Sequence, residues 1–501
     1  MSDQKIKNVF ILMLENHSFD NVFGLSGIPG INGVEAGKNS NSYAGKTYPV
    51  GKLAPDTMPS DPGHEFMDTL QQLCGHDDIA PIWKYGDPYP PPGNTIDNLG
   101  FAASYATSVS EQTKIIHYSP PPASDIGDVM LCFDTQKQLP VMYTLATQFA
   151  ICDNWFSSIP GPTWPNRFFA YAASSNGLDD SPTMKQQMVG EFLKGFSFPN
   201  GSVFEYLHTN KLKYRLYQDR YSELSFPIVQ SLEGIHWSEM NDISTFASDL
   251  SEDYDYALTL IEPNYGDIFL DTYRGGSSQH PMDGMQQGEA LIKTVYEAIL
   301  NSPIWENSLL IITYDEHGGF YDHVEPQLAP PPADGGTKYS KHGFDFTRYG
   351  VRVPAVVVSP YIPAGTLSNV LYDHTSMIKT VTENWALTGL TDRDKKANGL
   401  SALLTLNTPR QKSDCPTVLN IAVVPEVVPA ALTSVDLAQL NTIPLPESGN
   451  IIGFLQIALK TDYEMRAQTE VEANAMMDTF QNIQTLGDAR NYMISVLGKM
   501  K

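Results

Sequence analysis

The residues able to do chemistry in this chain stand where short apolar runs stop. Asn8 to Leu14 runs into Glu15-Asn16-His17-Ser18-Phe19-Asp20, and Leu309 to Tyr314 runs into Asp315-Glu316-His317-Gly318-Gly319-Phe320-Tyr321-Asp322-His323. A carboxylate beside a carboxamide offers two hard oxygen ligands. Two adjacent carboxylates with two histidines form a like-charge cluster that is costly to assemble unless a cation compensates it. Gly318-Gly319 lets the backbone turn tightly, which would bring Asp322-His323 back toward Asp315. The plainer alternatives are a helix start at Glu15-Asn16, capped by Asn16 or Ser18, and a solvated acidic loop at Asp315-Glu316.

A third cluster is Pro160-Gly161-Pro162-Thr163-Trp164-Pro165-Asn166-Arg167. Proline suits the first turn of a helix, so Pro165 places Thr163 at or near the N-cap. Amides at a helix N-terminus attract anions, and the Arg167 guanidinium could grip phosphate oxygens. Thr163 is then either a plain cap or a nucleophile activated by a neighbouring cation. His64 and His280 stand in loop contexts, where a single histidine is usually just solvated. There is no G-x-S-x-G elbow, Walker A loop, H-E-x-x-H pair or dinucleotide fingerprint. Carboxylate–metal chemistry is what these absences leave in front.

The elements that must position these groups follow from periodicity. Runs such as Ala257–Ile261, Leu309–Tyr314 and Val353–Val358 are continuously apolar rather than alternating, which suits central parallel strands buried on both faces. Glu289 to Asn301 carries Leu291, Val295 and Ile299 on one helical stripe, and a second helix opens near Asp373-His374-Thr375-Ser376, with Asp373 or Thr375 as candidate caps. Strand–helix alternation predicts an α/β fold, a mostly parallel central sheet covered by helices. Ligands bind at the carboxyl ends of such strands, so Glu15-Asn16 and Asp315-Glu316 are expected to converge there. The stretches Tyr85–Gly93, Ser119–Ser124 and Pro326–Gly336 read as ordered loops. After about residue 400 the character changes, to a loop-rich segment over Thr405–Ser448 and a helical tail over Ile451–Met500. The expected division is therefore a catalytic domain over 1–400 and an extension over 401–501.

In these clusters the chain resembles the bacterial phosphoesterase family that contains phosphatidylcholine-hydrolysing phospholipases C and acid phosphatases. The resemblance also takes in Ile261-Glu262-Pro263-Asn264-Tyr265 and the stretch from Val353-Pro354 to Asp373-His374-Thr375-Ser376. It implies an alkaline-phosphatase-like core. It further implies one divalent metal ion (Mg, Ca, Mn or Zn) on Glu15, Asn16, Asp315 and Glu316, with Thr163 as nucleophile and additional ligand. His64 and His280 would contact phosphate or move protons, and His323 is the other candidate to protonate the leaving group. Asn166, Arg167 and Asp322 belong to the signature and would meet substrate. The family motif carries arginine where this chain has His17, which puts one substrate contact in doubt. Threonine at 163, and no histidine in Tyr214–Asp219, favour phospholipase C through a phosphothreonine over an acid phosphatase. The third possibility is a module that binds metal or lipid without turnover.

Composition agrees with a phosphate ester and not a polyanion. Lys+Arg 32 against Asp+Glu 57 gives a net charge of −25, the reverse of a nucleic-acid binder. A phospholipid or other phosphate ester is the expected partner. No stretch reaches the roughly 20 apolar residues of a membrane span, and no secretory signal is seen. The expectation is a soluble protein, cytoplasmic or exported by a signal-independent route. The four cysteines form no C-x-x-C pair; free thiols are expected, with Cys132–Cys152 the pair to check for a bridge.

Overall fold

A computed structural model describes residues 4–76, 80–107, 121–183, 192–219, 226–269, 273–422, 434–466 and 469–500. Ser119 and Pro120 of the Ser119–Ser124 stretch, and residues 423–433 of Thr405–Ser448, lie outside that range. The centre is an eight-stranded sheet. Its strands in chain order are β1 (Asn8–Leu14), β2 (Ala150–Cys152), β3 (Lys213–Gln218), β4 (Met240–Asp242), β5 (Tyr256–Glu262), β6 (Ser308–Tyr314), β7 (Ala355–Val358) and β8 (Thr366–Ser368). Their order across the sheet is β8-β2-β7-β6-β1-β5-β3-β4.

All neighbours pair in parallel except β7, which is antiparallel to both β6 and β2. The apolar run Val353–Val358 is thus a central strand, but not a parallel one. Such a run reports burial on both faces and carries no information about direction. Every residue of β1 and β6 is buried. Full burial of an Ile or Leu contributes roughly 1.5–3 kcal/mol relative to exposure, so these two strands anchor the fold.

Five helices matter to the site: α1 (Phe66–Cys74), α2 (Thr163–Ala172), α3 (Met285–Asn301), α4 (Thr375–Asn384) and α5 (Asn450–Arg466). The stripe Leu291, Val295 and Ile299 on α3 is buried as its spacing requires. In α4 neither Asp373 nor Thr375 caps: His374 holds the N-cap position without a side-chain bond, and Asp373 instead accepts from Arg393 and Ser158. Side chains of α5, among them Ile451, Phe454 and Leu455, lie in the same hydrophobic core as β1 and β6. Cys74, Cys132, Cys152 and Cys415 are all buried free thiols, so Cys132 and Cys152 form no bridge. Among the described residues no helix is long and apolar enough to cross a membrane.

Candidate active site

Strand register builds the site. Leu14 on β1 lies opposite Tyr314 on the adjacent parallel β6, so Glu15 and Asp315 leave the sheet edge side by side. The Asn16 amide donates to Asp315 Oδ1 at 3.2 Å. Asn16 itself has a left-handed backbone (φ 62), which asparagine tolerates better than most residues. Gly318 has φ 61, and a Cβ there would come within 2.1 Å of the Asn16 carbonyl oxygen, so only glycine lets the second loop close over the first. The Gly318 amide then donates to Glu316 Oε2 at 2.8 Å.

Thr163 is the first residue of α2. Pro162 occupies the N-cap with no side-chain bond, so the threonine hydroxyl is not used as a cap. It points instead to Asn16, donating to Oδ1 at 3.4 Å. One turn along α2, Arg167 Nε donates to Asp315 Oδ2 at 2.8 Å, and its NH2 group donates to the Met13 and Leu14 carbonyls. The guanidinium also lies over the Tyr265 ring, 5.3 Å from its centroid. Tyr265 in turn donates to Glu262, which terminates β5 and also accepts from Tyr171, Ile228 and Val229. The Ile261–Tyr265 motif is therefore the support beneath Arg167.

Glu15, Asn16, Thr163, Arg167, Asp315 and Glu316 are all buried. Burial, then the neighbouring Asp315 charge, pushes the Glu15 carboxyl up to about 8 despite Arg167. Burial likewise raises Asp315 to about 6, against the opposing pull of Arg167. Glu15 Oε2 and Glu316 Oε1 have no hydrogen-bond partner among the described residues. Buried carboxylate oxygens normally find one, and three carboxylates beside one guanidinium leave a negative surplus. Hard oxygens with unsatisfied charge, converging beside a hydroxyl, fit a divalent cation.

His64, which lies near Glu15, and His280, its ring centroid 6.0 Å from that of His64, hold complementary tautomers. His64 Nδ1 lies 2.9 Å from the Pro62 carbonyl, so it carries the proton and leaves a lone pair on Nε2. His280 Nδ1 accepts from the Met282 amide at 3.3 Å, so its neutral ring carries the proton on Nε2. Burial, followed by the charges of His64 and His17, holds His280 well below the usual histidine range and keeps it neutral. Asp61, which the sequence does not single out, completes a trio with them whose ligand atoms lie within 4.8 Å of one another. His280 Nε2 stands 4.0 Å from Asp61 Oδ2. With the proton on Nε2, His280 presents an N–H toward Asp61 and the space beside it.

Other signature residues face elsewhere. The Asn166 carboxamide bonds Ile159, Gly161 and Pro162 and thereby shapes the turn that launches α2. Among the described residues, Arg167 NH1 has no hydrogen-bond partner, while Nε and NH2 are bonded. Asp322 and His323 fold back as their glycines allow, but onto Asp20 and Arg352: Arg352 Nε donates to Asp322 at 2.9 Å, and His323 Nδ1 lies 2.6 Å from Asp20. Burial works against charging His323, but the bond and charge of Asp20 with the charge of Asp322 raise its pKa. His17 is buried between Asn21 and the Gln279 carbonyl and stacks on Phe320. Desolvation lowers it to about 4, so it does not offer the positive charge of an arginine. His374, read from the sequence only as part of a helix start, holds the Asp315 carbonyl through Nε2 at 2.6 Å, with Trp155 donating to its Nδ1. Tyr273, stacked on His280, had no signal in the sequence at all.

A helix-borne hydroxyl, buried carboxylates and two histidines at the carboxyl edge of a mostly parallel sheet are the equipment of an enzyme that hydrolyses phosphoric esters. The chain belongs to the phosphoesterase family, whose model matches residues 6–388. It is 35% identical over 450 residues to non-specific phospholipase C6 of Arabidopsis thaliana, covering 85% of this chain and 76% of that protein. It is 32% identical to non-specific phospholipase C1 of the same plant, covering 82% and 73%. Phospholipase C B of Mycobacterium tuberculosis is 27% identical, over 64% of this chain and 66% of its own. Among solved structures, a phosphonate monoester hydrolase of Agrobacterium radiobacter overlaps 54% of this chain and 73% of its own, at TM-score 0.31 and 12% identity. At that distance the likeness says nothing about chemistry.

Proposed function

We propose that this chain is a metal-dependent phospholipase C acting on phosphatidylcholine-type lipids through a phosphothreonine at Thr163. The observation that carries it is the Thr163 hydroxyl, released from capping, turned to Asn16 beside Glu15, Asp315 and Glu316. Family membership and the phospholipase C relatives support the diester over the monoester as substrate.

Glu15, Asn16, Asp315 and Glu316, with Thr163, would hold a divalent ion, which when bound lowers the pKa of a neighbouring hydroxyl and offsets phosphate charge. The chain's own residues do the rest. His64 Nε2, the lone-pair nitrogen, takes the Thr163 proton as Oγ1 attacks phosphorus in line. His280 Nε2–H donates to a phosphoryl oxygen as charge builds there. The bond from phosphorus to the glycerol oxygen, on the face opposite Oγ1, breaks, and that oxygen takes a proton from water, releasing diacylglycerol and leaving hydroxide. That hydroxide attacks the phosphothreonine on the face the glycerol left, and the proton on His64 returns to Oγ1, restoring the hydroxyl and releasing the phosphorylated headgroup. Arg167, already bound to Asp315, holds the carboxylate in place more than it grips substrate.

Thr163→Ala is expected to abolish turnover of a phosphocholine diester while still binding a divalent cation by calorimetry; full activity would refute the nucleophile. Wild-type protein should hydrolyse the diester faster than a simple monoester and lose both activities in chelator. A preference for the monoester would make it a phosphatase, and metal uptake without turnover of either ester would make it a binding module.

A further inference from the structure

The family match ends at residue 388, yet the first residue of α5 reaches the site. Asn450 is buried between two rings. The Trp164 indole N–H, which can only donate, donates to Asn450 Oδ1 at 2.7 Å. That fixes the orientation of the amide, so Asn450 Nδ2 donates to the Tyr273 hydroxyl oxygen at 2.9 Å. Trp164 follows Thr163 in the chain, and the Tyr273 ring lies flat on His280, with centroids 3.5 Å apart and planes 10° from parallel. The rest of α5 reinforces the contact. A Cβ on Gly453 would fall 2.1 Å from Trp164 Cζ2, so the helix backbone lies directly against the indole. Phe454 meets the edge of Trp164 and packs on Tyr265, the ring beneath Arg167.

We propose that Asn450 is a positioning residue that ties the Thr163 end of α2 to the His280 loop. The inference rests on the reading of Thr163 as nucleophile and His280 as donor. Packing alone would hold two rings near each other, but a carboxamide bonded to both sets their separation and their orientation. A fixed distance between nucleophile and donor matters most at the transition state, and misplacement of about 1 Å can cost about a hundred-fold in rate. Asn450 touches no substrate in this scheme, so its loss should lower kcat and leave KM nearly unchanged.

The test uses the full chain with a soluble chromogenic phosphocholine diester, comparing Asn450→Leu, Tyr273→Phe and the double variant. Tyr492→Phe is the control, because it removes a hydrogen bond from the C-terminal region to Asp462 on α5, away from these rings. Asn450→Leu is expected to lose about ten- to a hundred-fold in kcat at similar KM. Tyr273→Phe should lose at least about fivefold, and the double variant little more than Asn450→Leu alone. The control should keep parental kcat. By NMR, the His280 ring signals should move in both single variants. The Trp164 indole signal, identified by its disappearance in Trp164→Phe, should move in Asn450→Leu.

A folded Asn450→Leu with parental kcat, or additive losses in the double variant, would overturn the proposal. If Asn450→Leu does not fold, parental kcat in Tyr273→Phe overturns it. Absence of diester turnover in wild type would overturn the functional reading instead. The two ring signals would then still decide the linkage: if both stay fixed in Asn450→Leu, the positioning role is wrong.

Discussion

Removing the cation should expose a pH-dependent instability traceable to Glu15. Its folded pKa, about 8, lies above the ordinary 4.5 because of burial and the nearby Asp315 charge. Below pH 4.5 both folded and unfolded chains hold the proton, and nothing is lost. Between 4.5 and 8 the unfolded chain releases it while the folded one retains it, so folded stability falls with rising pH and levels off above 8. At 1.36 kcal/mol per pKa unit the full effect is about 5 kcal/mol. Unfolding entropy of about 2.1 cal/mol/K per residue gives about 1 kcal/mol/K for a chain of this length, so the shift in Tm is about 5 °C.

The assay is thermal unfolding in chelator from pH 5 to 8, wild type against Glu15→Gln. Glu289 and Asp283 are also raised by burial, to about 8 and about 7, but they titrate in both proteins and cancel in the difference. Over this window, which holds about three-quarters of the full effect, wild type should lose about 3–4 °C more than Glu15→Gln, and excess divalent cation should shrink the gap, because the bound ion stabilises the ionised carboxylate. The same slope in both proteins, or a gap that cation leaves unchanged, would rule out Glu15 as the source of the instability.

Three further outcomes follow from the geometry. Arg167→Met leaves Asp315 buried without its partner and should cost about 3–5 kcal/mol in denaturant titration, part of which cation should restore. Gly318→Ala forces a strained φ and a clash with the Asn16 carbonyl; it should destabilise by at least about 1–3 kcal/mol and weaken cation binding measured by calorimetry. His280→Gln keeps an N–H donor and should retain more kcat than His280→Ala. His64→Gln lacks a proton-accepting nitrogen and should lose about 10²–10⁴-fold, with steady-state kinetics separating the two roles.

Much of the site was legible in the sequence because the residues proposed as ligands follow continuous apolar strands. A strand buried on both faces must end at the sheet edge, so Glu15-Asn16 and Asp315-Glu316 could be assigned to that edge from pattern alone. Proline at 165 likewise located the start of α2 within a residue or so. Thr163 stayed ambiguous at that stage, since cap and nucleophile share one sequence context. The position of Pro162 at the N-cap, with the hydroxyl turned to Asn16, removes the cap reading.

Local features could be read from the chain: which residues are buried, where strands stop, where a glycine is needed and which groups carry charge. Pairings between distant segments follow from the folded chain alone, because they depend on register, strand direction and packing across the core. The antiparallel run of β7, the turn of Asp322-His323 onto Arg352 and the grip of His374 on the Asp315 carbonyl are all of this kind. So is the reach of Asn450 to Trp164 and Tyr273, which no motif announces. A carboxamide in an apolar helix looks the same in sequence whether it caps, solvates or bridges. Its partners, 286 and 177 residues away, exist only once the core has closed.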